Sequence, residues 1–425
     1  MFTTLFSKWR SSSRLCSDRL LGILTVSLVW LLPFLENAQI GVVSIALICL
    51  LLLLILSGAP LPRHPIFLPL GIYWLVGILA TVFSPVRMAA IDGLIKLTLY
   101  LGIFLVFYHL LRLGWRNFLV GSYLSSALVV CGYGIHQWLL GAQELATWTD
   151  PNSDLAGITR VYSFLGNPNL LAGYLIPVVP LSVVAVLVWR SWVHKFLAGL
   201  VGISGILCIF QTYSRGALVG LVGMGLTLVL LLIFWWGRKL PPWTLLLFCL
   251  GSLGTVGTAM LGMPMVRRRI ETIFWGGIDS SNAFRLNVWR AVFQMIRDRP
   301  LLGIGLGNRA FNQVYPLYQS SGFSALGTYS VPLEITVETG IIGLLVYLWL
   351  LFTVVKTGWQ ALLQCRQATD PQGLWLIACF SGIAGMLGHG LFDTVWFRPQ
   401  VQIIWWLCLG ITCSFMGISE EKYVG

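Results

Sequence analysis

Arginine residues beside short polar turns are the side chains of this sequence best suited to chemistry. Arg160 opens the run RVYSFLGNPN, Arg215 lies in TYSRG, and Arg285 and Arg290 share the polar run SSNAFRLNVWR. A guanidinium stays charged at every physiological pH, and its planar fork bonds phosphate oxygens in pairs. The pattern therefore indicates recognition of an anionic group such as a pyrophosphate.

Two of these arginines lie next to predicted helix starts. Asn167 before Pro168 is typical of a capped helix N-terminus, and Ser214 is a suitable cap for a helix that begins at Arg215. Such a terminus offers free N–H groups and the positive end of the helix dipole to an anion. Capping alone explains Asn167 and Pro168, but it leaves the arginines unexplained.

The stretch from Asp279 to Gly343 is the one long segment too polar to lie inside a bilayer. Within it, apolar residues recur at helical spacing opposite a basic face, which predicts an amphipathic helix lying at the membrane surface; the apolar set is Leu286, Trp289, Val292, Phe293 and Ile296, and the polar set is Arg290, Gln294 and Arg297. The run Gly303-x-Gly305-x-Gly307 is a weak phosphate-loop signal, because no strand precedes it and no GK[ST] follows. A flexible turn is the expectation there.

Composition fixes the class of protein. The chain of 425 residues is 57% hydrophobic and only 10% charged, and its mean hydropathy is +0.84. A soluble surface needs far more charge, so the sequence predicts an all-α polytopic membrane protein. The net charge of +12 matches the basic connectors of such proteins, and no nucleic-acid partner is expected. The nine cysteines form no CxxC site or disulfide pattern, and neither a metal nor a cofactor is expected.

Apolar windows of about 20 residues predict about twelve transmembrane helices, at 20–35, 39–57, 66–83, 94–111, 117–140, 169–190, 194–211, 216–236, 243–262, 333–355, 374–392 and 400–417. The predicted organisation has three parts: 1–262 with spans one to nine, 263–332 as a long, partly helical loop, and 333–425 with the last three spans and the C-terminus.

The distribution of basic residues predicts the orientation. They concentrate in the termini and in one alternating set of connectors, while the opposite short connectors hold only Arg87, Lys96, Arg160, Arg215 and Arg398. The basic set marks the cytoplasmic side, so both termini are expected in the cytoplasm and the long loop on the outer side of the membrane.

This topology gathers the remaining polar residues on one outer face: Arg160, Asn167, Asn169, Arg215, Arg285, Tyr329, Glu338, His389, Asp393 and Arg398. Any one of the arginines has a second interpretation, as a side chain that extends to the lipid headgroups. Basic residues normally concentrate on the inner side, so arginines beside the short outer connectors are unexpected. Their presence there favours a functional role.

Several motifs carry a resemblance to a known family. SRG at the outer start of a span, the GNPN turn, the R-x4-R pair, DRPLLGIGLGN and YSVPLEITVETGIIG are similar to the O-antigen ligase and polymerase superfamily. ELATW, SSNAFRLNVW, YPLYQ, YSVPLE and GMLGHGLFDTVWFRP also resemble a cyanobacterial group named for inorganic-carbon accumulation and described as bicarbonate transporters.

The superfamily resemblance implies a glycan donor linked to undecaprenyl pyrophosphate and metal-independent, inverting glycosyl transfer to a glycan or lipid acceptor at the periplasmic face. It also implies that arginines hold the pyrophosphate, here Arg160, Arg215, Arg285 and Arg290, with Asn167, Asn169, Asp393 and Arg398 in support. The family's histidine base is replaced by Tyr329, although Ser330, Gly340 and Gly343 fit the rest of that motif.

A phenol with an ordinary pKa near 10 is a poor base at neutral pH. Glu338 and His389 are therefore catalytic candidates beside Tyr329, with Glu334 and Asp393 as further substitutes. Three functions follow: a ligase-like enzyme, a bicarbonate transporter or inorganic-carbon accumulation factor, and a non-catalytic binder of lipid-linked glycan. Transport is disfavoured, because no charge lies near the middle of a predicted span and no inverted pair of interrupted helices is visible.

Overall fold

The computed structural model describes residues 2–57, 64–141, 160–237, 280–320 and 323–416. Side chains are described from residue 16 in the first helix and from residue 283 in the helix that begins at Ser280. In these ranges every regular element is helical. The predicted span at 243–262 lies outside the described residues.

Fourteen α-helices follow one another through the described ranges: α1 (Phe2–Leu31), α2 (Asn37–Leu56), α3 (Phe67–Val82), α4 (Arg87–Arg112), α5 (Arg116–Leu140), α6 (Pro168–Leu175), α7 (Val178–Val188), α8 (Trp192–Gln211), α9 (Arg215–Trp236), α10 (Ser280–Asp298), α11 (Asn308–Val314), α12 (Val331–Gln367), α13 (Leu374–Gly390) and α14 (Pro399–Ser414). Short 3₁₀ turns lie at Ser163–Leu165, Tyr315–Leu317, Pro371–Gly373 and Val395–Phe397.

Eight segments among these residues have the length and hydropathy needed to cross a membrane: Asn37–Leu56, Arg87–Arg112, Arg116–Leu140, Pro168–Val188, Trp192–Gln211, Arg215–Trp236, Val331–Gln367 and Pro371–Gly390. The helix Phe67–Val82 is apolar but shorter. The predicted all-helical, multi-span character is thus confirmed, whereas the count of about twelve spans stays a prediction. The chain is an integral membrane protein.

The helices around α13 and α14 form the main apolar core. α13 packs against α9 and α7, and α14 packs against α4. Trp375, Trp405 and Trp406 are buried there. This packing brings the N-terminus of α9 and the C-terminus of α13 to the same place, because Gly216 and Gly220 let the two helices approach closely.

α12 is broken near its start, at Gly340. Gly340 has φ +70° and ψ −175°, which lies outside the helical region, and a Cβ there would collide with the Leu301 carbonyl. The N–H of Ile341 donates to the carbonyl of Pro300 at 2.8 Å instead of continuing the helix. A short half-helix therefore precedes the long membrane-spanning part, and we call it the half-helix 331–339.

Residues 280–320 and 323–330, which we call the cap, have a small apolar core of their own. Val288, Val292 and Met295 from α10 pack with Phe311 and Tyr315 from the following elements. The indole N–H of Trp289 also donates to the carbonyl of Thr328 at 2.9 Å. The predicted amphipathic helix is present as α10. Its buried face is formed by Val288, Ala291, Val292 and Met295, whereas Leu286 and Phe293 of the predicted apolar face are exposed, because the helix packs on the core of the cap. Its predicted position at the membrane surface stays a prediction.

Candidate functional site

A chain of polar contacts links three of the predicted site residues. The Nε of Arg160 donates to the Thr212 carbonyl at 2.7 Å, and its terminal nitrogen donates to Oδ1 of Asn169 at 2.9 Å. The Nδ2 of Asn169 donates to Oδ2 of Asp393 at 2.6 Å. Asp393 is 6% exposed, and this hydrogen bond satisfies a carboxylate oxygen that is buried from water.

Arg215 lies beside this chain at the first residue of α9. The backbone turns sharply before it, with Tyr213 at φ +51°, and the Ser214 hydroxyl then accepts from the Ala217 N–H at 3.4 Å. The predicted N-cap is confirmed. Because Arg160 is bonded to Thr212, three residues before Arg215, both arginines lie at the positive end of α9. Arg215 is only 8% exposed.

Asn167 has the predicted capping role at the start of α6. Its Oδ1 accepts from the N–H groups of Asn169 and Leu170 at 2.8 and 3.2 Å, and Pro168 takes the first helical position. Asn167 therefore caps the helix from which Asn169 extends, although it is not itself a member of the Arg160–Asn169–Asp393 chain.

His389 is fully buried where α13 meets α6 and α9. Its ring lies against Gly173 and Gly216. A Cβ atom added at Gly173 would lie 3.3 Å from a ring atom, and one added at Gly216 would lie 2.9 Å from a ring atom. Among the described residues neither ring nitrogen has a hydrogen-bond partner. Asp393 and Arg285 both lie within electrostatic range of the ring. A buried, unpaired imidazole costs stability and marks a functional candidate.

Tyr329 reaches the same cluster from the cap. It has φ +55°, an uncommon backbone conformation for a tyrosine, and its ring packs edge-on against Phe284 with centroids 5.7 Å apart. Burial raises the pKa of the Tyr329 phenol above its ordinary value, the Asp393 carboxylate adds to the rise, and Arg285 opposes it. The phenol is therefore protonated at neutral pH and is suited to donate a hydrogen bond.

Glu338 and Glu334 lie on the half-helix 331–339 and bind loops of the protein itself. The Oε1 of Glu338 accepts from the Gly307 N–H at 2.8 Å, and Oε2 of Glu334 accepts from the Thr328 N–H at 2.7 Å. Both side chains are buried. The geometry gives each glutamate a structural role, Glu338 in holding the glycine-rich turn and Glu334 in holding the turn that precedes Tyr329.

The turn that contains Gly303, Gly305 and Gly307 is hydrogen-bonded to the half-helix 331–339. All three glycines have positive φ, between +67° and +100°. The N–H groups of Ile304 and Gly305 donate to the carbonyls of Val337 and Glu338 at 2.8 and 3.0 Å, at the end of the half-helix. Ser84 donates to the Ile304 carbonyl at 2.6 Å. These donors meet carbonyls that the end of the half-helix leaves unpaired. The flexibility of the turn stays a prediction.

Two other residues of the predicted site are exposed, the predicted pyrophosphate ligand Arg290 and the predicted supporting residue Arg398. Arg290 is exposed on α10 and contacts Asn287 of the same helix at 3.4 Å. Arg398 is exposed at the start of α14, within electrostatic range of Tyr100. The structure thus brings together Arg160, Asn169, Arg215, Arg285, Tyr329, His389 and Asp393, which we call the arginine cluster. In the described ranges no three His, Cys, Asp or Glu side chains converge as metal ligands.

Sequence reasoning missed three parts of this arrangement. The break at Gly340 has no signal beyond the glycine itself, and Thr212 contributes through its backbone carbonyl, which every residue type has. The strained turn at Tyr213 is also invisible in the residue types. The short polar run QTYSR was the only available signal for that turn.

Comparison with known proteins bears on one part of the chain. No curated protein matches the chain. Residues 199–348 match the family model described as O-Antigen ligase, a range that includes Arg215, Arg285 and Tyr329 but not Arg160 or Asp393. This match supports the resemblance to the O-antigen ligase superfamily, and together with the eight candidate spans it supports a ligase-like integral membrane protein.

Proposed function

We propose that the chain acts on a glycan linked to a prenyl pyrophosphate such as undecaprenyl pyrophosphate, at the periplasmic face of a bacterial inner membrane. The observation that carries the proposal is the grouping of Arg160 and Arg215 at the N-terminus of α9, with Arg285 within electrostatic range of His389, in a chain of which residues 199–348 match the O-Antigen ligase model. The donor is a lipid, which suits a site formed between helices that span the membrane.

The arginine cluster has the chemistry of a diphosphate site. Arg160 and Arg215 lie at the N-terminus of α9, where the helix dipole and free N–H groups add to their charge. Arg285 approaches from the cap. Partial burial strengthens these interactions, because charges attract more strongly where water is excluded. The single carboxylate of Asp393 is held by Asn169 and balances part of the positive charge.

Glycosyl transfer in this site would follow a simple course. An acceptor hydroxyl attacks the anomeric carbon, a new C–O bond forms there, and the bond to the pyrophosphate oxygen breaks. The arginines stabilise the negative charge that develops on the departing pyrophosphate. His389 best fits the role of proton acceptor among the candidates, since Glu334 and Glu338 are bonded to backbone N–H groups.

Tyr329 has a different role in this scheme. Its pKa is raised, so the phenol keeps its proton and can donate a hydrogen bond to the donor or the acceptor. The same observation favours a second candidate function, a non-catalytic binder of lipid-linked glycan. A binder needs the arginines and a hydrogen-bond donor, but it needs no base at position 329.

The deciding experiment is product formation from a prenyl-pyrophosphate oligosaccharide by the purified chain in proteoliposomes, run beside bicarbonate uptake in the same vesicles. We expect glycan transfer in wild type, its loss in Arg215→Ala and a marked reduction in His389→Ala. Donor binding without transfer in every variant would favour the binder. Saturable bicarbonate uptake that depends on Arg215, with neither transfer nor donor binding, would reject the ligase-like proposal in favour of transport.

A further inference from the structure

The two faces of α10 differ sharply in exposure. Val288, Ala291, Val292 and Met295 are buried in the apolar core of the cap. On the opposite face lie Leu286, Arg290, Phe293 and Arg297, at positions i, i+4, i+7 and i+11, so they follow one line along the helix. We call these four residues the outer stripe. Leu286 is 53% exposed and Phe293 57%, and both arginines are exposed.

The charge of the cap is strongly one-sided. Its described part holds five arginines, Arg285, Arg290, Arg297, Arg299 and Arg309, against one carboxylate, Asp298. That carboxylate is already engaged, because it accepts a hydrogen bond from the Tyr318 hydroxyl at 2.8 Å. The outer stripe therefore alternates large apolar side chains with positive charges. It has the composition of a helix that binds an anionic lipid surface.

Two further large apolar side chains of the cap are exposed. Leu301 directly after α10 is 61% exposed, and Leu317 is 80% exposed. The cap also runs directly into α12, whose longer part is a candidate membrane span, so the cap lies next to a bilayer surface. An exposed set of this kind on a cap tethered to the membrane needs a partner that accepts both apolar side chains and cations.

We infer that the outer stripe of α10 binds the anionic phospholipid surface of the adjacent leaflet. Leu286 and Phe293 enter the boundary between headgroups and acyl chains, and Arg290 and Arg297 extend to the lipid phosphates. This assigns Arg290 to membrane lipid instead of the donor pyrophosphate. The inference is independent of the proposed function, because it concerns the face of α10 opposite the core of the cap and not the arginine cluster.

Hydrogen–deuterium exchange of the full chain in nanodiscs tests the inference. One set of discs contains phosphatidylcholine alone, and the other also contains phosphatidylglycerol. An arginine near an anionic surface strengthens binding by about five-fold. We therefore expect protection across 284–298 to rise by up to about 25-fold in the anionic discs, and high salt to reverse the rise.

Variants locate the effect on the stripe. In Arg290→Gln/Arg297→Gln the lipid-dependent gain should disappear, whereas Arg309→Gln, an exposed arginine on α11 outside the stripe, should keep it. Equal protection of wild type in both kinds of disc overturns the inference, even if the double variant fails to fold. Protection that depends on the number of copies per disc and not on phosphatidylglycerol also overturns it, and indicates a second copy as the partner.

Discussion

The side-chain amide of Asn169 joins Asp393 across 224 positions of sequence, donating to its Oδ2 at 2.6 Å. The other end of the same amide accepts from Arg160 at 2.9 Å. Asn169 is thus the shared hydrogen-bond partner of Arg160 and Asp393. This arrangement holds the start of α6 against the segment after α13 and keeps the guanidinium of Arg160 in place.

Asn169→Ala should lower the free energy of unfolding by about 1.5–3 kcal/mol, because it removes two hydrogen bonds to charged groups that are partly buried. The measurement is thermal unfolding of the purified chain in detergent. Asn167→Gly is the matched control, since it weakens only the helix cap and should cost a few tenths of a kcal/mol. Equal stability of Asn169→Ala and wild type would contradict the role of this amide.

Arg215→Ala should weaken binding of a prenyl-pyrophosphate ligand by about ten-fold to a hundred-fold, the value of one or more hydrogen bonds to a charged group. Arg215→Lys should restore only part of the affinity, because an ammonium lacks the planar fork. Arg290→Ala is the control, since Arg290 is exposed on the outer face of α10. Titration of a fluorescent prenyl pyrophosphate measures all three variants. If the two alanine variants bind equally well, the arginine cluster is not the diphosphate site.

The local features of the site could be predicted from the sequence, because they depend on neighbouring residues. The Asn167 cap, the Ser214 cap and the presence of a helix at α10 all follow from short patterns, and all three are confirmed. The apolar face predicted for α10 is wrong at Leu286 and Phe293, which are exposed. The contact between Asn169 and Asp393 could not be predicted in detail. The predicted membrane topology places both residues at the outer face, but it does not give the distance between them. Their common face was expected, whereas the hydrogen bond is a property of packing.

The glutamates show a second limit. Glu338 was a reasonable catalytic candidate, because an acid at the outer end of a span has few structural reasons to be there. The structure gives it such a reason, since its carboxylate binds the Gly307 N–H in a turn with φ +92°. That turn depends on backbone angles and on the break at Gly340. Neither is fixed by residue type alone, as glycine adopts many conformations.

Gly340→Ala should destabilise the protein by about 1–3 kcal/mol, because φ is +70° and the new Cβ would meet the Leu301 carbonyl. Gly121→Ala in α5 is the control: nothing lies within 4 Å of its Cβ position, and the substitution should stabilise that helix slightly. Denaturation followed by circular dichroism distinguishes the two. Equal stability of both variants would show that a residue with a Cβ atom fits at position 340 without strain.

Tyr329→Phe should change how stability depends on pH. Burial raises the pKa of the phenol above its unfolded value of about 10, so the folded state holds the proton more tightly. The contribution of the phenol is therefore intact below about pH 10 and is lost as pH rises through the folded-state pKa. The difference in the free energy of unfolding between wild type and Tyr329→Phe should be constant from neutral pH to about pH 9. Above that pH, wild type should lose stability relative to Tyr329→Phe. A gain in the stability of wild type relative to Tyr329→Phe above that pH would contradict this prediction.

Tyr329→His tests whether position 329 limits the chemistry. A neutral imidazole accepts a proton at pH 7, which the protonated phenol does not, and nearby Arg285 disfavours the imidazolium form. General bases contribute roughly 10²–10⁴-fold to a rate. Glycan transfer by Tyr329→His should therefore rise above wild type if proton removal limits the reaction, with donor affinity unchanged. The readout is the turnover rate at saturating prenyl-pyrophosphate oligosaccharide, and Tyr329→Phe, which has neither base nor donor, is the control. A rate for Tyr329→His no higher than that of Tyr329→Phe would show that the base lies elsewhere, and His389→Ala in the Tyr329→His background would then locate it.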